Sequence, residues 1–135
     1  AQPAAPLGEG ACIRVGDRLS LFDSALTAAL WKTAETLMTA DPSRRFVRAL
    51  MPGGVCEATV FQTFGYRSAA VCLPLGNYHN MGPNGALRPE EIRLSDFDNL
   101  VALLCASATQ RPPPAVTAEV KRTYLRQLHR LRQFL

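Results

Sequence analysis

The stretch Cys72-Leu73-Pro74-Leu75-Gly76-Asn77-Tyr78-His79-Asn80 carries an apolar run out into a Gly-Asn loop that presents a histidine. Residues 67–74 are the most apolar segment of the chain, bounded by Gly65 and Pro74, and read as a strand buried on both faces. A doubly buried strand calls for helices on both sides of its sheet. Histidine is the commonest metal-binding side chain, which makes His79 a candidate zinc ligand. Zinc needs three or four donors, and the one other histidine, His129, lies far along in a basic segment. His79 is therefore read as one corner of a metal site whose other corners lie on further polypeptide.

Outward from that strand the chain alternates. Residues 11–15 form a short strand ending at Gly16-Asp17, and Asp23 or Ser24 caps a helix whose Leu26, Ala29, Leu30, Thr33 and Leu37 recur at helical spacing to about Ala40. Residues 45–50 read as a strand near a sheet edge, turned by Met51-Pro52-Gly53-Gly54 into a short helix that Gly65 closes. Residues 75–94 make a long loop rich in Gly, Asn and Pro, the kind that is functional or flexible. Ser95-Asp96-Phe97-Asp98 has capping-box spacing ahead of a helix over residues 97–106. The expected fold is α/β, a three-layer αβα fragment with a central mixed sheet, plus an extra C-terminal helix.

That last helix follows a stiff spacer, Arg111-Pro112-Pro113-Pro114. Thr117 is expected to cap it, and Val120, Tyr124, Leu128, Leu131 and Leu135 give it one apolar stripe that must dock on something. Ala1 to Leu7, rich in Ala and Pro, reads as a connecting segment. The expected division is residues 1–110 as one unit and 111–135 as a Pro-rich linker with a basic amphipathic helix.

Composition bounds the function classes. With 47% apolar residues in 135, the chain has the material for one globular core. No run approaches the roughly 20 apolar residues of a membrane span, and the N-terminus lacks the order of a signal peptide; a cytoplasmic protein is expected. The net charge of +4 resides in residues 117–135, and the rest is neutral. That balance argues against an extended nucleic-acid groove, although the terminal helix could meet an acidic partner. Cys12, Cys56, Cys72 and Cys105 are widely spaced with no Cys-x-x-Cys pair, and read as buried free thiols.

Three features could carry chemistry. Gly53-Gly54 ahead of a helix leaves main-chain N–H groups open to a substrate or anion, although paired glycines in a turn are common. Glu57 in the first helical turn complements the helix dipole whether or not it does chemistry. Asn77, Tyr78 and Asn80 flank His79 with donors and acceptors suited to steadying a ligand or gripping a polar substrate. Glu90-Glu91 is read as solvated surface, and no Ser or Cys stands in a nucleophile setting.

In this order, Gly8-Glu9-Gly10-Ala11-Cys12-Ile13-Arg14-Val15-Gly16-Asp17, then Gly53-Gly54-Val55-Cys56-Glu57-Ala58, then Pro74-Leu75-Gly76-Asn77-Tyr78-His79-Asn80, the chain resembles the C-terminal part of the co-catalytic zinc aminopeptidases. These are carboxypeptidase-like exopeptidases of the phosphorylase/hydrolase-like α/β fold. The resemblance spans about residues 7–108, with Pro89-Glu90-Glu91-Ile92 onward matching an acidic segment before a helix. It implies a zinc-dependent exopeptidase that hydrolyses peptide bonds with two zinc ions. His79 would be the last histidine ligand, and Gly53, Gly54 and Asn77 would lie against substrate. The family's first histidine, bridging aspartate, Glu-Glu pair and next carboxylate all lie upstream of the part resembled, so no catalytic residue is carried over and at most one zinc ligand is present. Ala1 falls near the point just after that last carboxylate. The implied partners are a peptide substrate in the complete enzyme and either the N-terminal part of the catalytic domain or another copy of the chain. The alternative is a non-catalytic protein-interaction module that kept the sheet and lost the site.

Overall fold

The computed structural model describes residues 5–111, 113 and 116–132. Its elements run β1 (Ala11–Gly16), α1 (Ser24–Ala40), β2 (Phe46–Leu50), α2 (Glu57–Thr63), β3 (Ala70–Cys72), α3 (Leu94–Ala108) and α4 (Val116–Leu131). The strands form one mixed sheet in the order β2-β1-β3, with β1 parallel to β2 and antiparallel to β3. This is the expected α/β architecture, a mixed sheet with flanking helices and a further C-terminal helix.

Alternation along β1 decides how the layers stack. Ala11 and Ile13 point to the face covered by α1 and α3, where they meet Ala34, Phe46 and Leu103, with Leu30, Trp31, Leu37, Met38, Val71 and Leu100 packed around them. Ile13 and Leu103 are 0% exposed, and burying each removes apolar surface equivalent to about 2 kcal/mol. Cys12 and Arg14 alternate to the opposite face, where α2 stands across a cavity from Arg14 and Cys72.

The ends of the helices follow local chemistry. The Asp23 carboxylate accepts the Leu26 N–H at 2.9 Å, fixing the start of α1. Past the end of α2, Gly65 takes φ +85°, a conformation that favours glycine, and its N–H reaches the Gln62 carbonyl at 2.9 Å.

Two elements differ from expectation. The strand expected over 67–74 is only Ala70–Cys72, and it is half-buried. Among the described residues it pairs with β1 alone, at the edge of the sheet, and Pro74 has no N–H with which to extend a ladder. At α3 no capping box forms: the helix begins at Leu94, with Arg93 in the cap position and no side-chain cap. Asp96, 0% exposed, instead spends its carboxylate on the other end of the chain, accepting the Gly8 N–H at 2.8 Å and the Gly10 N–H at 2.9 Å.

Beyond α3, the Arg67 guanidinium grips Asp23 with Nε at 2.7 Å and Nη2 at 3.1 Å, and its Nη1 donates to the Pro113 carbonyl at 2.7 Å. One arginine thus ties the proline segment to the start of α1. On α4, Val120, Tyr124 and Leu125 are exposed. Pro112, Pro114 and Leu135 lie outside the described residues, as do the side chains of Thr117, Leu128 and Leu131. Among the described residues, no helix is long and apolar enough to cross a membrane.

Candidate functional site

The sheet face turned away from α1 and α3 carries a cavity of about 560 Å³. Cys12, Arg14, Ala49 and Cys72 form its floor, Met51-Pro52-Gly53-Gly54 one wall, and residues 73–75 with Tyr78 and His79 the other. Because β3 runs antiparallel, its end lies beside the start of β1, whereas the glycine turn follows the end of β2. The two walls therefore close on the cavity from opposite ends of the strands.

His79 is held by its backbone. Its N–H donates to Glu90 Oε1 at 2.8 Å, and it adopts the left-handed conformation at φ 58° with its imidazole against the Tyr78 ring, centroids 4.0 Å apart. Asn77, Asn80 and Asn84 share that conformation, which suits asparagine better than most residues but still stores strain. The loop is closed at its base by paired backbone bonds between Gly76 and Glu91, 2.8 and 3.2 Å long. A Cβ on Gly76 would come within 2.6 Å of the Leu7 side chain and 2.8 Å of the Glu91 side chain, both of which lie against the glycine backbone.

Three of the four site candidates border one cavity. Gly53 and Gly54 face His79 across it, whereas the Asn77 amide turns away to donate to the Pro89 carbonyl at 2.8 Å. Neither Gly53 nor Gly54 has positive φ, and a Cβ on Gly53 would meet nothing within 4 Å. Nothing inside the chain requires glycine there; what the missing side chains leave is bare backbone toward the cavity. Glu90, read from sequence as solvated surface, is the residue that positions His79. Its spacing of eleven residues from His79 across a loop gives no periodic signal.

Asp17 braces the glycine wall. Its Oδ1 accepts the N–H groups of Leu19 and Ser20 at 2.9 and 3.0 Å, and its Oδ2 takes the Cys56 N–H at 3.0 Å and the Thr59 hydroxyl. Arg18 N–H reaches the Gly54 carbonyl at 3.0 Å. Burial alone would raise the Asp17 carboxyl, but the donors from Thr59, Cys56, Leu19 and Ser20 outweigh it and hold the group well below the usual carboxylate range. Asp23 is lowered as well, by the Arg67 hydrogen bonds first, against the opposing effect of burial. Both start from an ordinary value of 3.8. The unfolded chain therefore takes up protons before the folded one as pH falls, and the stability these groups contribute above that value is lost progressively below it. Urea midpoints measured from pH 7 to pH 3 are expected to fall below about pH 4, with a shallower fall in Asp17→Asn.

No family model matches the chain, and neither does any curated protein. Among solved structures, a dodecamer of PhTET1-12s aligns over 82% of this chain and 31% of its own length, at 24% identity and TM-score 0.59. The TET1 peptidase of Pyrococcus horikoshii, which can assemble into a tetrahedron or a large octahedral shell, aligns over 79% of this chain and 28% of its own, at 23% identity and TM-score 0.59. These likenesses establish the fold. The chain spans less than a third of the length of either structure.

Proposed function

We propose that this chain forms the C-terminal part of the active site of a zinc-dependent exopeptidase of metallo-aminopeptidase type, contributing the last histidine ligand and one wall of the substrate cleft. The observation that carries this reading is the placement of His79, Gly53 and Gly54 around one cavity of about 560 Å³ on the open sheet face. The exposed imidazole of His79 suits a single zinc donor. Among the described residues, no three His, Cys, Asp or Glu side chains stand close enough to hold an ion together, so the other ligands and the general base would come from another part of the enzyme. Zinc bound there would polarise a scissile carbonyl and acidify a water. Within the chain, Glu90 sets the His79 backbone, the bare Gly53-Gly54 backbone lies open to an extended peptide, and Asn77 supports the substrate side by bracing the loop through Pro89. Residues 1–110 would belong to this catalytic unit, and the linker and α4 to docking on the remaining polypeptide or on another copy, in keeping with the assemblies that the two structural neighbours form.

Zinc content and release of N-terminal residues from aminoacyl chromogenic substrates test the reading, on this chain alone and on the longest product of its gene. The long form is expected to hold zinc and turn over substrate, and the chain alone to do neither. His79→Ala in the long form is expected to lower zinc occupancy and cut activity by about a hundredfold or more, since losing even a partner of a metal ligand costs about 10–100-fold. Gly53→Ala should retain zinc and thermal stability while activity falls about tenfold, because its Cβ has room in the fold and none beside a bound backbone. A long form with neither zinc nor activity would overturn the proposal in favour of an interaction module.

A further inference from the structure

The cavity floor holds a chemistry that the peptidase reading leaves unused. Cys12 and Cys72 are direct cross-strand partners in the antiparallel β1/β3 pair, and both belong to the face turned away from α1 and α3. Cα atoms of facing residues in such a pair are about 4.5–5.5 Å apart, inside the range of about 4.4–6.8 Å that a disulfide spans. Facing residues of an antiparallel pair carry their side chains on the same side of the sheet, and Arg14 lines the same two cavities as Cys72. Cys12 is buried and Cys72 half-buried, and Cys72 lines the cavities on both sides of Arg14.

We propose that Cys12 and Cys72 form a dithiol modification site that closes to an intramolecular disulfide on meeting a small disulfide oxidant. The Cys72 thiolate attacks one sulfur of the oxidant, the oxidant's S–S bond breaks, and one thiolate leaves, to be protonated from solvent. The Cys12 sulfur, giving up its proton, then attacks Cys72 Sγ in the mixed disulfide, forming the Cys12–Cys72 bond and expelling the second thiolate. Two protein thiols are oxidised, one oxidant disulfide is reduced to two thiols, and no other reactant is needed. The division of labour follows from access: Cys72 is half-buried and lines both cavities whereas Cys12 is buried, and hydrogen bonding with Cys12 together with the charge of Arg14 lowers Cys72 while hydrogen bonding with Cys72 and burial raise Cys12. The buried sulfur is thus the resolving one, and the accessible sulfur is the one that is attacked and attacks.

Closure would staple the three-residue β3 to β1 at the root of the segment that runs on to His79. The site is independent of whether zinc binds there.

Oxidised glutathione on the intact chain, followed by intact-mass and peptide mapping, tests the site, with Cys105→Ser removing the exposed thiol. The expected product is two hydrogens lighter, carries a Cys12–Cys72 peptide cross-link, and exceeds the glutathione adduct at Cys72 by about tenfold, because an adjacent thiol competes at a far higher effective concentration than one in solution. Cys12→Ser should convert this product into a stable adduct of one glutathione on Cys72, and Cys72→Ser should leave Cys12 unmodified. A persistent Cys72 adduct in the parent chain, a Cys56–Cys72 cross-link, or no reaction at Cys72 would each overturn the proposal. Should Cys12→Ser fail to fold, the cross-link in the parent and its absence from Cys72→Ser decide the matter.

Discussion

Gly10→Ala is expected to cost at least about 3 kcal/mol, from left-handed backbone strain and enforced overpacking together. Gly10 holds φ +94°, and a Cβ built there would stand 1.7 Å from the Arg45 carbonyl oxygen and 2.1 Å from its carbon. Both offending atoms are backbone, on the segment that leads into β2, so no rotamer change relieves the contact. To accept a methyl group the chain must move the start of β1 off the start of β2, where Ala11 pairs with Phe46 in the core. With the stability of a whole domain only about 5–15 kcal/mol, the urea midpoint should drop by about 2 M at an ordinary dependence on denaturant. Gly8→Ala is the control: φ is also positive, at +84°, but nothing lies within 4 Å of its Cβ, so only the conformational part of the loss should appear. Equal losses in the two variants would show that the close approach to Arg45 contributes nothing.

Asp96→Ala should cost about 3 kcal/mol or slightly more, because two hydrogen bonds to a charged acceptor are removed and the Gly10 N–H is left buried without a partner. The loss exceeds what a helix cap gives, since the carboxylate is 0% exposed and the groups it binds are held away from solvent. Asp96→Asn separates charge from shape: the amide keeps one accepting oxygen but turns an NH₂ group toward the other donor, so more than half the loss is expected. Full stability in the asparagine variant would mean that one acceptor suffices to hold Gly8 and Gly10.

Local sequence around Gly10 and Asp96 carries no sign of the contact between them. The regular elements were legible because each has a local cause. Asp23 caps α1, Gly65 ends α2, and alternation in β1 sorts Ala11 and Ile13 from Cys12 and Arg14. The mixed sheet with flanking helices followed from the order of those elements. The contact between Asp96 and Gly10 joins residues 86 apart, and nothing in the local pattern around Ser95-Asp96-Phe97-Asp98 distinguishes a buried clasp from a capping box. The extent of β3 differs from the apolar run for a related reason: apolar character in residues 67–74 reports what the segment could bury, whereas its ladder depends on a neighbour, which among the described residues lies on one side. At the cavity, His79 and the two glycines were legible as residue types at loop positions. The turn of the Asn77 amide toward Pro89 and the hold of Glu90 on His79 depend on a loop path that composition does not specify.

The clasp also sets an order of events for the chain as it is made. β1 is the central strand, yet both of its partners come later in sequence, and the acceptor for Gly8 and Gly10 comes later still. During synthesis β1 therefore emerges before the β2, β3 and Asp96 that it packs against in the fold. The contact that spans 86 residues is expected to close among the last, since closing a longer loop costs more entropy. Substitutions in the clasp should accordingly leave the folding rate nearly unchanged and appear as faster unfolding, so that cellular lifetime, more than yield at synthesis, registers the damage.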